Sequence, residues 1–213
     1  MSASAARLGL IYRNEFARTL ARPLFWVLIA ILGLTAWGLS SGGMQISSGN
    51  SAVGGTKAWI TSEFANAKMF GLTIFCFYSF FAAILMGMSV MQDEEMKIGE
   101  ILHATPLKPE EYIRGKFLAI MTALLVAMGA HIVLTILFNH IVPNAKAIEM
   151  RGPFGLLNYL RPALIFGLPS LLFIAGTSFA IGERTRKPIL VFVLPVAAIL
   201  VSAFFQVARF CRQ

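Results

Sequence analysis

Charge is what this sequence has least of. Only 13% of its 213 residues are Asp, Glu, Lys or Arg, where an ordinary soluble domain carries about a quarter. The acids are scarcest, 10 against 18 Lys and Arg, which leaves a formal net charge of +8. Hydrophobic residues make up 57% of the chain and the mean hydropathy is +0.74. A soluble globule is thereby excluded, and a single polytopic membrane domain over 1–213 is expected. The basic excess does not mark a nucleic-acid binder, since no basic face with interleaved aromatics is present. Lys and Arg instead flank long apolar runs, as topology signals do.

Cysteine is also scarce. Cys76 lies within an apolar run and Cys211 in the tail. With no spacing pattern they suggest neither a disulfide framework nor a metal site, and Cys76 reads as a small apolar core residue.

Catalytic patterns are missing too. No Gly-x-x-x-x-Gly-Lys-Ser/Thr occurs, so nucleotide hydrolysis is not expected in this chain, and no His-Glu-x-x-His zinc motif is present. Two acidic pairs invite comparison with intramembrane proteases bearing Glu-Glu-x-x-x-Arg. Glu94-Glu95 has Gly99 where Arg is needed, and Glu110-Glu111 has Arg114 one position too early. The histidines, His103, His131 and His140, are too scattered for a site. His131 alone lies clearly inside an apolar run, where a hydrogen-bonded packing role is expected over proton carriage. No enzyme, cofactor or metal is expected.

The apolar runs themselves are plentiful. A spanning helix needs about 20 apolar residues, and five stretches qualify: 24–39, 70–91, 117–138, 163–181 and 188–208. None contains Asp, Glu, Lys or Arg. The first is short, but Pro23 is a good helix start. It is longer than a signal-peptide core, so a retained helix is expected. Trp26, Trp37 and Trp59 fall near predicted interfaces, as an aromatic belt should. With the N-terminus inside, 11 Lys and Arg lie on the inner side and 7 on the outer, which favours that orientation.

Several flanking segments carry pattern. Leu8, Tyr12, Phe16 and Leu20 recur every fourth residue, with Arg7, Arg18 and Arg22 largely on another side. That spacing predicts an amphipathic helix lying along the inner surface. The Gly/Ser-rich run 40–56 reads as a flexible outer loop. Short interfacial helices are expected at 59–68 and 154–160.

The most polar stretch, 92–116, joins the second and third spans. Asp93, Glu94 and Glu95 close the second span. Met96, Ile98, Ile101 and Leu102 alternate with Lys97, Glu100 and His103, which predicts a short amphipathic helix. Thr105-Pro106 disfavours its continuation. Pro109 followed by Glu110 and Glu111 predicts a new helix with carboxylates at its positive end, though no Ser, Thr, Asp or Asn stands ready to cap it. An ordered helix, break, helix fused to two spans can transmit a push that a loose loop could not.

The stretch "DEEMKIGEILHATPLKPEEYIRGKFLA" resembles the first cytoplasmic loop of ABC-2-type exporter permeases. The matching residues are Glu100, Ile101, Leu102, Thr105, Pro106, Leu107, Tyr112, Gly115 and Lys116. The N-terminal "NEFARTLARPLFWVL" is similar to that family's inner-surface helix turning at a proline into the first span. The resemblance implies a bacterial inner-membrane permease working with a separate ATP-binding cassette ATPase and a second permease subunit, as homodimer or heterodimer. It implies that Glu94, Glu95, Glu100, Ile101, Leu102, Pro106, Leu107 and Tyr112 belong to the ATPase-coupling element. Gly71, Gly87, Gly129 and Gly176 are expected at close helix contacts. The family has six spans per unit and this sequence shows five, so the chain reads as a piece lacking the sixth or as the first part of a longer permease. Two other classes stay open. A membrane anchor or assembly subunit needs only spans and a docking loop. A secondary transporter normally places charges in its spans, and their absence disfavours it.

Overall fold

The computed structural model describes residues 3–44, 46–48, 51–53, 59–95, 108–142, 148 and 150–185, with single positions beyond. Helix α1 runs Ala3–Ala21 and α2 runs Pro23–Ser40. Strands β1 (Ile46–Ser48) and β2 (Ser51–Val53) follow. Then come α3 (Glu63–Thr73), α4 (Ser79–Glu95), α5 (Pro109–Ile136), α6 (Leu157–Pro162) and α7 (Leu168–Thr185). Wider π-helical turns at Ile74–Tyr78, Leu137–Ile141 and Ala163–Gly167 continue the helices they adjoin.

Four helical stretches are long and apolar enough to cross a membrane: Pro23–Ser40, Glu63–Gly87, Pro109–Ile141 and Leu157–Thr185. They correspond to the first four expected spans. The fifth, 188–208, lies mostly outside the described residues. All four begin earlier than hydropathy suggested, the last three by six to eight residues, because a polar side chain at a helix start can point outward while its carbonyl accepts from the next turn.

Local chemistry sets the starts. Pro23 occupies the first turn of α2 behind an extended Arg22, and Pro109 does the same for α5 behind Lys108. Neither has a side-chain cap. Ser62 does cap α3, its hydroxyl accepting from the Ala65 N–H at 3.2 Å. No separate interfacial helix forms at 59–68, since nothing after Ser62 interrupts the helix before Thr73. The segment 154–160 likewise leads into a helix that starts at Leu157. Pro162 within that helix cannot donate to the ladder, and the π turn Ala163–Gly167 begins at once after it.

The 40–56 segment is not a plain loop. The chain leaves α2 through Gly42 at φ 71°, a left-handed conformation that favours glycine. Beyond it β1 and β2 pair antiparallel, with Ile46 opposite Val53 and Ser48 opposite Ser51. An extended backbone still has to pair its N–H and C=O groups, and a hairpin does so even in a Ser-rich run.

The core is drawn from all four spans. Leu28 and Leu32 of α2, Phe70 of α3, Ala82, Leu85 and Met86 of α4, Ile120, Leu124 and Ala127 of α5, and Leu171 and Ala175 of α7 are all buried in it. Many other large apolar side chains, Trp26, Leu34, Val133 and Phe173 among them, are more than half exposed. That is an ordinary surface for helices solvated by lipid. Trp37 and Trp59 are exposed at one end of the bundle and Trp26 at the other, where its Nε1 donates to the Leu20 carbonyl at 2.9 Å.

Candidate functional site

The start of α5 gathers the most charge. Its first turn carries Glu110 and Glu111, suited to the positive end of the helix dipole. Glu110 points outward and pairs with Arg114 one turn on, at 3.7 Å. Glu111 turns inward to α1. The Ser4 hydroxyl donates to one of its oxygens, and Arg7 Nε lies 3.3 Å from the other. That second contact is electrostatic rather than an aligned hydrogen bond. One turn further, Gly115 lets α1 approach. A Cβ there would stand 2.9 Å from Ile11 Cγ2 and 3.2 Å from Ile11 Cβ. No side chain fits without moving a helix.

Lys116 is almost wholly enclosed, 2% exposed. Its ammonium donates to the Ser89 carbonyl near the end of α4 at 2.6 Å and lies 3.5 Å from the Tyr112 hydroxyl, 5.4 Å from that ring's centre. A buried ammonium is costly unless bonded, and here it fastens the end of the second span to the start of the third. Both helices that flank the polar connector are thus held to each other, and α5 is also held to α1.

This packing corrects the expected orientation of α1. The helix exists, and Phe16 and Leu20 rest on the core. Its most buried described side chains, however, are Glu15 and Thr19, with the Thr19 hydroxyl donating back to the Glu15 carbonyl. Arg7, placed by periodicity on the side away from Leu8, Tyr12, Phe16 and Leu20, faces Glu111. A helix docked on another helix buries whatever matches that neighbour, polar groups included.

Of the residues tied to the family motif, Tyr112, Gly115 and Lys116 fall in this cluster. Glu94 and Glu95 close α4. Glu100, Ile101, Leu102, Thr105, Pro106 and Leu107, with the short helix expected from Met96 and its break at Thr105-Pro106, lie outside the described residues. The sequence pointed to Gly115 and Lys116 by motif alone; Ser4, Arg7, Ile11 and Ser89 gave no signal, because each acts through a partner distant in sequence. The glycines chosen for close contact behave differently from Gly115. Gly87 is buried in α4. A Cβ on Gly71, Gly129 or Gly176 would meet nothing within 4 Å, so these three make no close approach to another described part of the chain. Gly167 does, with Met128 Sδ 3.1 Å from its Cβ position.

A second polar cluster closes the opposite end. The buried Tyr159 hydroxyl lies 2.9 Å from His140 Nε2 and accepts from Asn139 at 3.4 Å. Asn66 donates to the Asn158 carbonyl at 3.1 Å, and Asn158 donates to the Thr61 carbonyl at 3.2 Å. The Thr61 hydroxyl accepts from the Gly152 N–H at 2.9 Å. Ser40 donates to the Phe138 carbonyl at 2.7 Å, joining the ends of the first and third spans. His140 is therefore part of a network that sequence spacing did not reveal. Nearby, Thr35, Leu39, Met44, Met69, Leu72 and Cys76 line an apolar groove between α2 and the second span. Cys76 is half-buried at its wall rather than in the core.

Among the described residues, no three His, Cys, Asp or Glu side chains gather as a metal site would require. No protein-family model, no curated protein and no solved structure matches the chain.

Proposed function

We propose that this protein is a transmembrane permease subunit of an ATP-driven exporter of the ABC-2 type, seated in a bacterial inner membrane with its N-terminus in the cytoplasm. In this reading a separate ATP-binding cassette ATPase docks on the connector 92–116, and a second permease subunit completes the pathway. The chain itself hydrolyses nothing. The observation that carries the proposal is the double fastening of the connector's flanks: Lys116 to the Ser89 carbonyl, and Glu111 and Gly115 to α1. A push delivered to a segment anchored at both ends moves two spans and α1 together. The motif resemblance supplies the identity of the partner that pushes.

The apolar side of the connector helix is the expected docking face, with Ile101 and Leu102 as anchors and Glu94, Glu95 and Glu100 at the rim, where charge sets orientation more than affinity. Replacing Ile101 and Leu102 together with Asp should abolish co-purification of an ATPase while the subunit still inserts and folds. An ATPase that stays bound with its activity intact would sink the docking assignment. An ATPase that binds the unaltered subunit but whose turnover never responds to it would instead mark a membrane anchor. The topology has its own check: a cysteine placed at Ala104 should react only with reagents reaching the cytoplasmic side.

A further inference from the structure

His131 of α5 and Tyr78, the last residue of the π turn Ile74–Tyr78, face each other inside the bundle. They are 0% and 1% exposed. Their ring centres are 6.3 Å apart, and Phe70 closes the imidazole edge-on at 5.2 Å. Neither imidazole nitrogen and not the phenol oxygen has a hydrogen-bond partner among the described residues. The hydrogen bond expected of a packing histidine is therefore not made to any described residue. The nearby hydroxyls of Thr73, Ser79 and Thr135 donate to carbonyls of their own helices, at Met69, Phe75 and His131 respectively.

The other His–Tyr pair of this chain supplies an internal control. His140 and Tyr159 have ring centres 6.1 Å apart and bond directly at 2.9 Å. His131 and Tyr78, at nearly the same separation but tilted 38° rather than 76°, do not. A buried imidazole carries one N–H and one lone pair, and a phenol can both donate and accept. Leaving all three atoms bare in an apolar interior is costly. A fitting guest must be small, because both side chains are fully enclosed. It must be neutral, because no Asp, Glu, Lys or Arg lies in 70–87 or 117–141 to balance a charge. It must also donate and accept.

We propose that His131 and Tyr78 form a binding site for one buried water molecule, held between an imidazole nitrogen and the phenol oxygen. Buried waters occur where otherwise unsatisfied polar atoms converge, and π turns recur at functional positions within helices. The proposal rests on this geometry and not on the exporter reading.

The test uses the full chain in lipid nanodiscs, labelled with ¹⁵N-histidine, with water itself as the probe. A cross-peak from the His131 ring N–H to slowly exchanging water is expected, assigned by its loss in His131→Gln and lost again in Tyr78→Phe, while the His140 signal stays. In thermal unfolding, Tyr78→Phe and His131→Leu should each lower the midpoint, and the double variant should fall no further than the worse single one. A dry histidine signal, a direct His131–Tyr78 coupling, or a midpoint raised by either substitution would overturn the site. If neither variant folds, the signal of the unaltered protein decides.

Discussion

At one end of the bundle, Glu111 meets Arg7 and Ser4, and Lys116 reaches across to the Ser89 carbonyl. At the other, Tyr159, Asn139, His140, Asn66, Asn158 and Thr61 form a buried network of neutral hydrogen bonds, and charge enters only at its rim, where Arg161 pairs with Glu63 at 3.7 Å and Arg151 donates to the His140 carbonyl at 3.4 Å. The difference is one of chemistry and also of reversibility. Charged contacts respond to ionic strength and to the charges of a partner. Neutral hydrogen bonds between buried groups respond to neither. The end where charge is buried is the one that bears the flanks of the polar connector, whereas the buried network at the other end is neutral.

The largest effect should come from Gly115. Leu at this position drives carbon atoms into Ile11, where a Cβ alone would already stand 2.9 Å from Cγ2, so the cost should exceed the usual overpacking range of about 1–3 kcal/mol. The thermal midpoint should drop and α1 should become accessible to protease. Adding Ile11→Ala should recover part of the loss; no recovery would mean that the α1–α5 contact is not what Gly115 protects.

Lys116→Met comes next. It keeps the apolar stem and removes a charged hydrogen bond worth about 1.5–3 kcal/mol. Cross-linking between the end of α4 and the start of α5 should weaken, while the Tyr159 cluster stays as it was. Loosening of both ends together would erase the comparison.

At the neutral end, Tyr159→Phe strips one hydroxyl from Asn139 and His140 and should cost about 1 kcal/mol. Its effect should be the same at low and high salt, which unfolding at two ionic strengths reads directly.

Glu111→Gln should be the mildest of the four. Amide and carboxylate have similar shapes, so the packing survives and only the attraction to Arg7 is lost. The unaltered protein should be slightly less stable in high salt than in low, and the variant should show no such difference. Equal salt dependence in both would place the sensitivity of this end elsewhere.

Much of the fold was legible residue by residue. Pro23 and Pro109 begin the helices they were expected to begin, and the first four apolar runs are helical. The candidate site was only half legible. Gly115 and Lys116 stood out as a motif, but nothing near them named Ile11 or Ser89 as the reason. Glu111 was read as a dipole-matching acid, and its partner Arg7 lies 104 residues away. The cluster at the opposite end was missed for the same cause: Asn66 and Asn158 are 92 residues apart and look like ordinary polar residues near helix ends.

The sequence by itself determined where the four long described helices form and that they are long and apolar enough to cross a membrane. Helical hydrogen bonds close within a segment, so a run of about 20 apolar residues satisfies its backbone without outside partners. Only the tertiary structure decided which face of each helix turns inward. A span that is apolar all round carries no directional pattern, because lipid and protein interior are alike to Leu and Phe. The choice fell instead to close fits such as Gly115 on Ile11 and to polar atoms seeking partners across the bundle, and both depend on neighbours far away in the chain.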